Sequence, residues 1–149
     1  MNDSENPNQP ITAQGIINHA LSLIKDIYAP HNQILALLAG KVEKINFHSL
    51  ASVPAEEEVP IWKLNVIAVD EILRLAKYHR WGICKNREFI YLYNGAYWFH
   101  LDSEQFMTFL GEVSYKLGIP ELRSRHYEFR KKLFSQFQAV ANMPPPLND

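Results

Sequence analysis

Reactive side chains are sparse in this chain. Six histidines, at 19, 31, 48, 79, 100 and 126, lack the close spacing that lets two imidazoles share a metal ion. A single cysteine, Cys84, excludes an internal disulfide and any multi-cysteine zinc site, and it reads as a small apolar residue in a strand. Glu56, Glu57 and Glu58 lie between Pro54 and Pro60. Three adjacent carboxylates do not converge on one point, so the run reads as a solvated loop. The phosphate-cradling G-x-x-x-x-G-K-[ST], the nucleophile elbow G-x-S-x-G and the zinc motif H-E-x-x-H do not occur. Nor does any strand carry the paired carboxylates that a two-metal centre needs. The expectation is a chain with no catalytic residues, no metal and no cofactor.

Binding chemistry is better represented. Arg123, Arg125, Arg130, Lys131 and Lys132 cluster near the C-terminus, joined by Lys116 and opposed locally by Glu121 and Glu128. Arg123, Tyr127, Arg130 and Phe134 recur at i, i+4, i+7 and i+11, an Arg/aromatic stripe on one helix. The candidate nucleic-acid contacts are therefore Arg123, Arg125, Tyr127, Arg130, Lys131 and Lys132. They suit phosphate neutralisation, which positions a strand without reading its sequence. The alternative is a solvated face of an αα-hairpin. A second cluster is aromatic: Trp81, Phe89, Tyr91, Tyr93, Tyr97, Trp98 and Phe99. Exposed rings on a sheet can stack unpaired bases. The plainer reading gives one face to the core and leaves the other half-covered.

The elements that must position these residues follow from periodicity. Asn94-Gly95 between alternating aromatic segments predicts a hairpin with a two-residue turn, flanked by strands over Phe89–Tyr93 and Ala96–Leu101. Trp81–Cys84 is a third strand, turning through Lys85-Asn86-Arg87. Upstream, helices are expected over Thr12–Tyr28, His31–Asn46 and Ile61–His79, with a loop from Asn46 to Pro60. In the third of these, Asp70 and Arg74 form an i, i+4 pair. Downstream, Asp102 with Gln105 forms a capping box for a helix over Ser103–Leu117, and Gly118 ends it. A last helix over Pro120–Ala141 turns Leu122, His126, Phe129, Leu133, Phe137 and Val140 inward. The order predicts an α+β fold: mainly helical, with a small antiparallel β-meander between an N-terminal helical part and a C-terminal helix pair. One domain is expected over residues 11–142, with a flexible tail at 1–10 and a Pro-rich exit linker at 143–149.

The chain has 149 residues and a net charge of −1, so any basic surface is local. No signal peptide and no membrane span are expected, and a single cysteine fits a reducing compartment such as the cytoplasm.

The segment Tyr91-Leu92-Tyr93-Asn94-Gly95-Ala96-Tyr97-Trp98 resembles the YNGxYW hairpin of phage/plasmid-type DNA primase-helicases, which include poxvirus relatives. Phe109-Leu110-Gly111-Glu112, the Gly118 helix end, the basic Phe129–Leu133 segment and the proline-rich exit are similar to that pattern too. The resemblance covers residues 61–149, with its folded part at 61–142, and the first 60 residues match nothing in it. It implies a non-catalytic accessory domain just ahead of a superfamily 3 helicase ATPase, in a protein that replicates a mobile element. Its implied partners are single-stranded DNA and other modules or subunits of the primase-helicase. Tyr93, Asn94, Gly95, Tyr97 and Trp98 carry over as a hairpin motif only. Two other readings stand beside this one: a protein-interaction or oligomerisation module without DNA binding, and a helix-turn-helix regulator.

Overall fold

The computed structural model describes residues 12–19 and 30–141. The expected tail at 1–10, the exit linker at 143–149 and the rest of the first predicted helix lie outside the described residues.

The described part of α1 covers residues 13–19, and Thr12 caps it, its Oγ1 accepting from Gly15 N at 2.9 Å. Helix α2 spans His31–Lys41 and α3 spans Phe47–Ala51. Helix α4 spans Ile61–Tyr78. Strands β1 (Gly82–Asn86), β2 (Phe89–Tyr93) and β3 (Trp98–Leu101) follow, then α5 (Ser103–Leu117), α6 (Glu121–Arg125) and α7 (Tyr127–Val140). The fold is the expected one, mainly helical with a three-stranded antiparallel meander in the order β1-β2-β3 between two helical parts.

The sheet's inner face supplies Ile83, Ile90, Leu92 and Leu101 to a core that includes Ala68, Val69 and Ile72 of α4, Phe106, Leu110 and Val113 of α5, and Phe129, Leu133 and Phe137 of α7. Phe106 and Phe137 are fully buried with ring centroids 4.6 Å apart. Truncating either to alanine costs about 3–5 kcal/mol.

Four local expectations change. The second helix stops at Lys41 because Val42 is extended, and the expected loop contains α3. Asn46 starts that helix by accepting from Ser49 N at 3.0 Å, and Ser52 ends it in the left-handed region at φ 57°. The Asn94-Gly95 turn is not the two-residue type. Tyr93 pairs with Trp98, so four residues form the loop and only Gly95 takes a positive φ, 102°. The Asn94 side chain makes this turn, its Oδ1 accepting from Ala96 N and Tyr97 N at 2.9 and 3.2 Å. The two-residue turn is instead Arg87-Glu88, with Arg87 at φ 61°. In α4, Arg74 pairs with Glu71 at 2.6 Å rather than with Asp70, and that carboxylate raises the Arg74 pKa.

The fourth change is the last helix, which breaks at His126. That residue is extended at φ −70° and ψ 132°. Before it, Ser124 is buried and its Oγ donates to Glu121 O at 2.9 Å. Phe129, Leu133 and Phe137 of α7 face the core as expected. Leu122, His126 and Val140, expected inside, are exposed.

Candidate nucleic-acid interface

The basic residues sit where α5, α6 and α7 meet. Asp102 Oδ2 accepts from Gln105 N at 2.9 Å and starts α5. At the other end, Gly118 at φ 121° lets its own N–H reach Tyr115 O and the Ile119 N–H reach Ser114 O, at 3.0 and 3.1 Å. This double closure is a Schellman motif, and it delivers Pro120 as the residue before α6. The remaining carbonyl of Leu117 accepts from Ile45 N at 3.0 Å.

The six residues expected to contact nucleic acid divide into two groups. Arg125, Tyr127, Lys131 and Lys132 are exposed. The Lys131 ammonium lies 5.1 Å from the centre of the Tyr127 ring. Among the described residues, Arg74–Glu71 is the one ion pair, so no carboxylate neutralises these cations directly. Arg130 and Arg123 are half-buried and face elsewhere. Arg130 Nε donates to Ser124 O at 2.8 Å, and its guanidinium fills the space beside Gly111 of α5. It ties α7 to the middle of α5 and to the end of α6. Arg123 lines a cleft shared with Lys44 and with Glu56, Glu57 and Glu58. Lys116 donates to Ala39 O at 3.0 Å near the C-terminus of α2. The break at His126 splits the predicted Arg/aromatic stripe.

The hairpin residues serve the sheet. Tyr93 OH donates to Gly95 O at 3.0 Å, and the Tyr93 and Trp98 rings are 5.0 Å apart. A Cβ at Gly82 would sit 3.1 Å from Trp98 Cη2, so this glycine makes room for the indole. Asn94 is buried. His31 Nε2 donates to Tyr97 O at 2.9 Å, and the imidazole stacks 5.1 Å from Phe99, which binds the loop to α2. The register puts Phe89, Tyr91, Tyr93, Trp98 and His100 on the outer face of the sheet. That face is half-covered, with Phe89 and His100 exposed. Cys84 belongs to the same face but is buried, and the lost hydration pushes its thiol up to about 11.

Among the described residues, no three His, Cys, Asp or Glu side chains come together as a metal site. No helix among them is long and apolar enough to cross a membrane. After α5 the chain makes only the five-residue α6 before it breaks, not the long second helix that a helix-turn-helix lays in a major groove. Compared with protein-family models, with curated proteins and with solved structures, the chain matches none.

Proposed function

We propose that this chain is a non-catalytic accessory domain that guides single-stranded DNA, as part of a primase-helicase that replicates a mobile element. The observation that carries the reading is the exposed group Arg125, Tyr127, Lys131 and Lys132 at the start of α7. Three cations without an ion-pair partner among the described residues fall in this short segment, and one of them, Lys131, lies 5.1 Å from the centre of the accessible Tyr127 ring. This combination neutralises phosphates and offers a base a stacking surface, with no sequence readout. The likeness of the Tyr91–Trp98 segment to the primase-helicase hairpin supports the biological setting. Arg130 and Arg123 drop out of the contact set, since their geometry gives them other work. The test is fluorescence anisotropy with a labelled oligothymidylate at low salt. Replacing Lys131→Ala together with Lys132→Ala weakens binding several-fold while the melting temperature stays put. Unchanged affinity in that folded variant overturns the proposal.

A second reading, a protein-interaction module, draws support from a separate observation. Among the described residues strand β3 pairs only with β2, and Tyr97 just before it and Phe99 within it are 59% and 48% exposed. A strand from a partner could add there. Self-association that is insensitive to salt, without DNA binding, favours this reading.

A further inference from the structure

A cleft of about 920 Å³ opens between the segment leading into α3, the loop before α4 and the turn from α5 to α6. It is separate from the exposed group at the start of α7, and of the six predicted contact residues only Arg123 lines it. Its walls are held in place. Ile45 N donates to Leu117 O at 3.0 Å, and His48 Nε2 donates to Glu57 O at 2.8 Å, pinning the acidic loop to α3. Lys63 Nζ donates to Ala51 O at 3.1 Å, joining α4 to the end of α3. The expected solvated loop is thus one wall of a preformed groove.

The lining selects its occupant by charge. Phe47, Leu64 and Ile119 supply apolar surface. Glu56, Glu57 and Glu58 line it together with Lys44 and Arg123, three carboxylates to two cations, and none of the five forms an ion pair among the described residues. A phosphate or a nucleic-acid backbone entering here meets a lining with one more carboxylate than cation, which disfavours it. A purely apolar ligand gains nothing from the carboxylates. An apolar segment that carries a cation satisfies both parts of the lining. The volume lies at the upper end of the range for small-molecule sites, roughly 300–1,000 Å³, and accommodates several residues of peptide.

We infer that this cleft binds a peptide segment of a partner protein in which bulky apolar residues alternate with lysine or arginine. The segment's side chains enter against Phe47 and Leu64, and its cations face Glu56–Glu58. Ile61, which is exposed, adds apolar surface to the lining. This site works independently of DNA on α7.

The experiment titrates the ¹⁵N-labelled full chain with a short acetylated, amidated peptide of alternating leucine and lysine, and with its leucine–glutamate counterpart. The lysine peptide shifts amides at 45–48, 64, 118–119 and 121–123, and single-stranded DNA leaves those amides in place. Combined Glu56→Gln, Glu57→Gln and Glu58→Gln replacement weakens the lysine peptide about tenfold or more with a dispersed, native spectrum. Equal binding of the glutamate peptide, undiminished affinity in the triple variant, shifts confined to other regions or no shifts at all would overturn the inference. The same shifts produced by raising the chain's own concentration would also overturn it, assigning the cleft to a second copy.

Discussion

Arg130 occupies the space that a side chain at Gly111 would need. A Cβ built on Gly111 falls within the guanidinium of Arg130, while Arg130 Nε donates to Ser124 O at 2.8 Å. A glycine inside a helix ordinarily costs about 1 kcal/mol relative to alanine. Here it admits a cation that joins three helices.

That relationship predicts a coupled pair. Gly111→Ala fails to give the usual gain of about 1 kcal/mol in the native background, because it displaces Arg130 from Ser124. In an Arg130→Ala background the same substitution does stabilise. Arg130→Ala alone lowers stability by about 1–2 kcal/mol, since the Ser124 carbonyl loses a charged donor. Urea unfolding of the four proteins gives the coupling directly. Additive effects would show that Arg130 does not fill this space.

The hairpin loop depends on one side chain. Asn94→Ala leaves the Ala96 and Tyr97 amides without their acceptor, at a cost of about 1–3 kcal/mol. Gly95→Ala places a Cβ at φ 102° and costs about 1–2 kcal/mol. Thermal unfolding of each variant measures the loss. A fall of less than about 0.5 kcal/mol in Asn94→Ala would contradict the role given to its side chain.

Cys84 gives a prediction about pH. Burial raises its thiol from 9.0 to about 11, so between these values the folded chain keeps a proton that the unfolded chain has released. Protonation therefore favours the folded state. This contribution is complete below pH 9.0 and is lost as pH rises towards 11. Between pH 8 and 11 the native chain loses more stability than Cys84→Ala does, by an amount on the order of 1–3 kcal/mol. Parallel denaturant titrations of the two proteins report it. Equal slopes would mean that the thiol is not desolvated. Slow labelling of the native thiol by a maleimide at pH 7 follows from the same burial.

Much of the fold was legible because local signals and packing agreed. Ile61–Tyr78, Phe89–Tyr93 and Ser103–Leu117 appear with expected bounds, within one residue, since an apolar period and strong end signals coincide there. Asp102 and Gly118 act at the ends of α5 as their types require. The misses come where a short polar side chain redirects the backbone. Asn46 starts a helix of only five residues, too short to show a period. Ser124 and His126 interrupt an otherwise continuous apolar stripe, so Leu122 points outward. Asn94 turns the chain with its side chain rather than with a positive φ. The candidate interface was half legible. Charge and exposure coincide at Arg125, Lys131 and Lys132, but the sequence does not reveal that Gly111 holds room for Arg130. The cleft beside Arg123 joins residues far apart in the chain, and its acidic wall is invisible until the His48–Glu57 bond places it.

The most direct test of the DNA-guiding role is the salt dependence of oligothymidylate binding, measured by anisotropy from about 20 to 200 mM salt. Three phosphate contacts at about 0.7 each give log K against log salt a slope near −2 for the native chain. Lys131→Ala with Lys132→Ala reduces the slope to about −0.7, leaving Arg125. A flat salt dependence, or no binding at the lowest salt, would contradict the account.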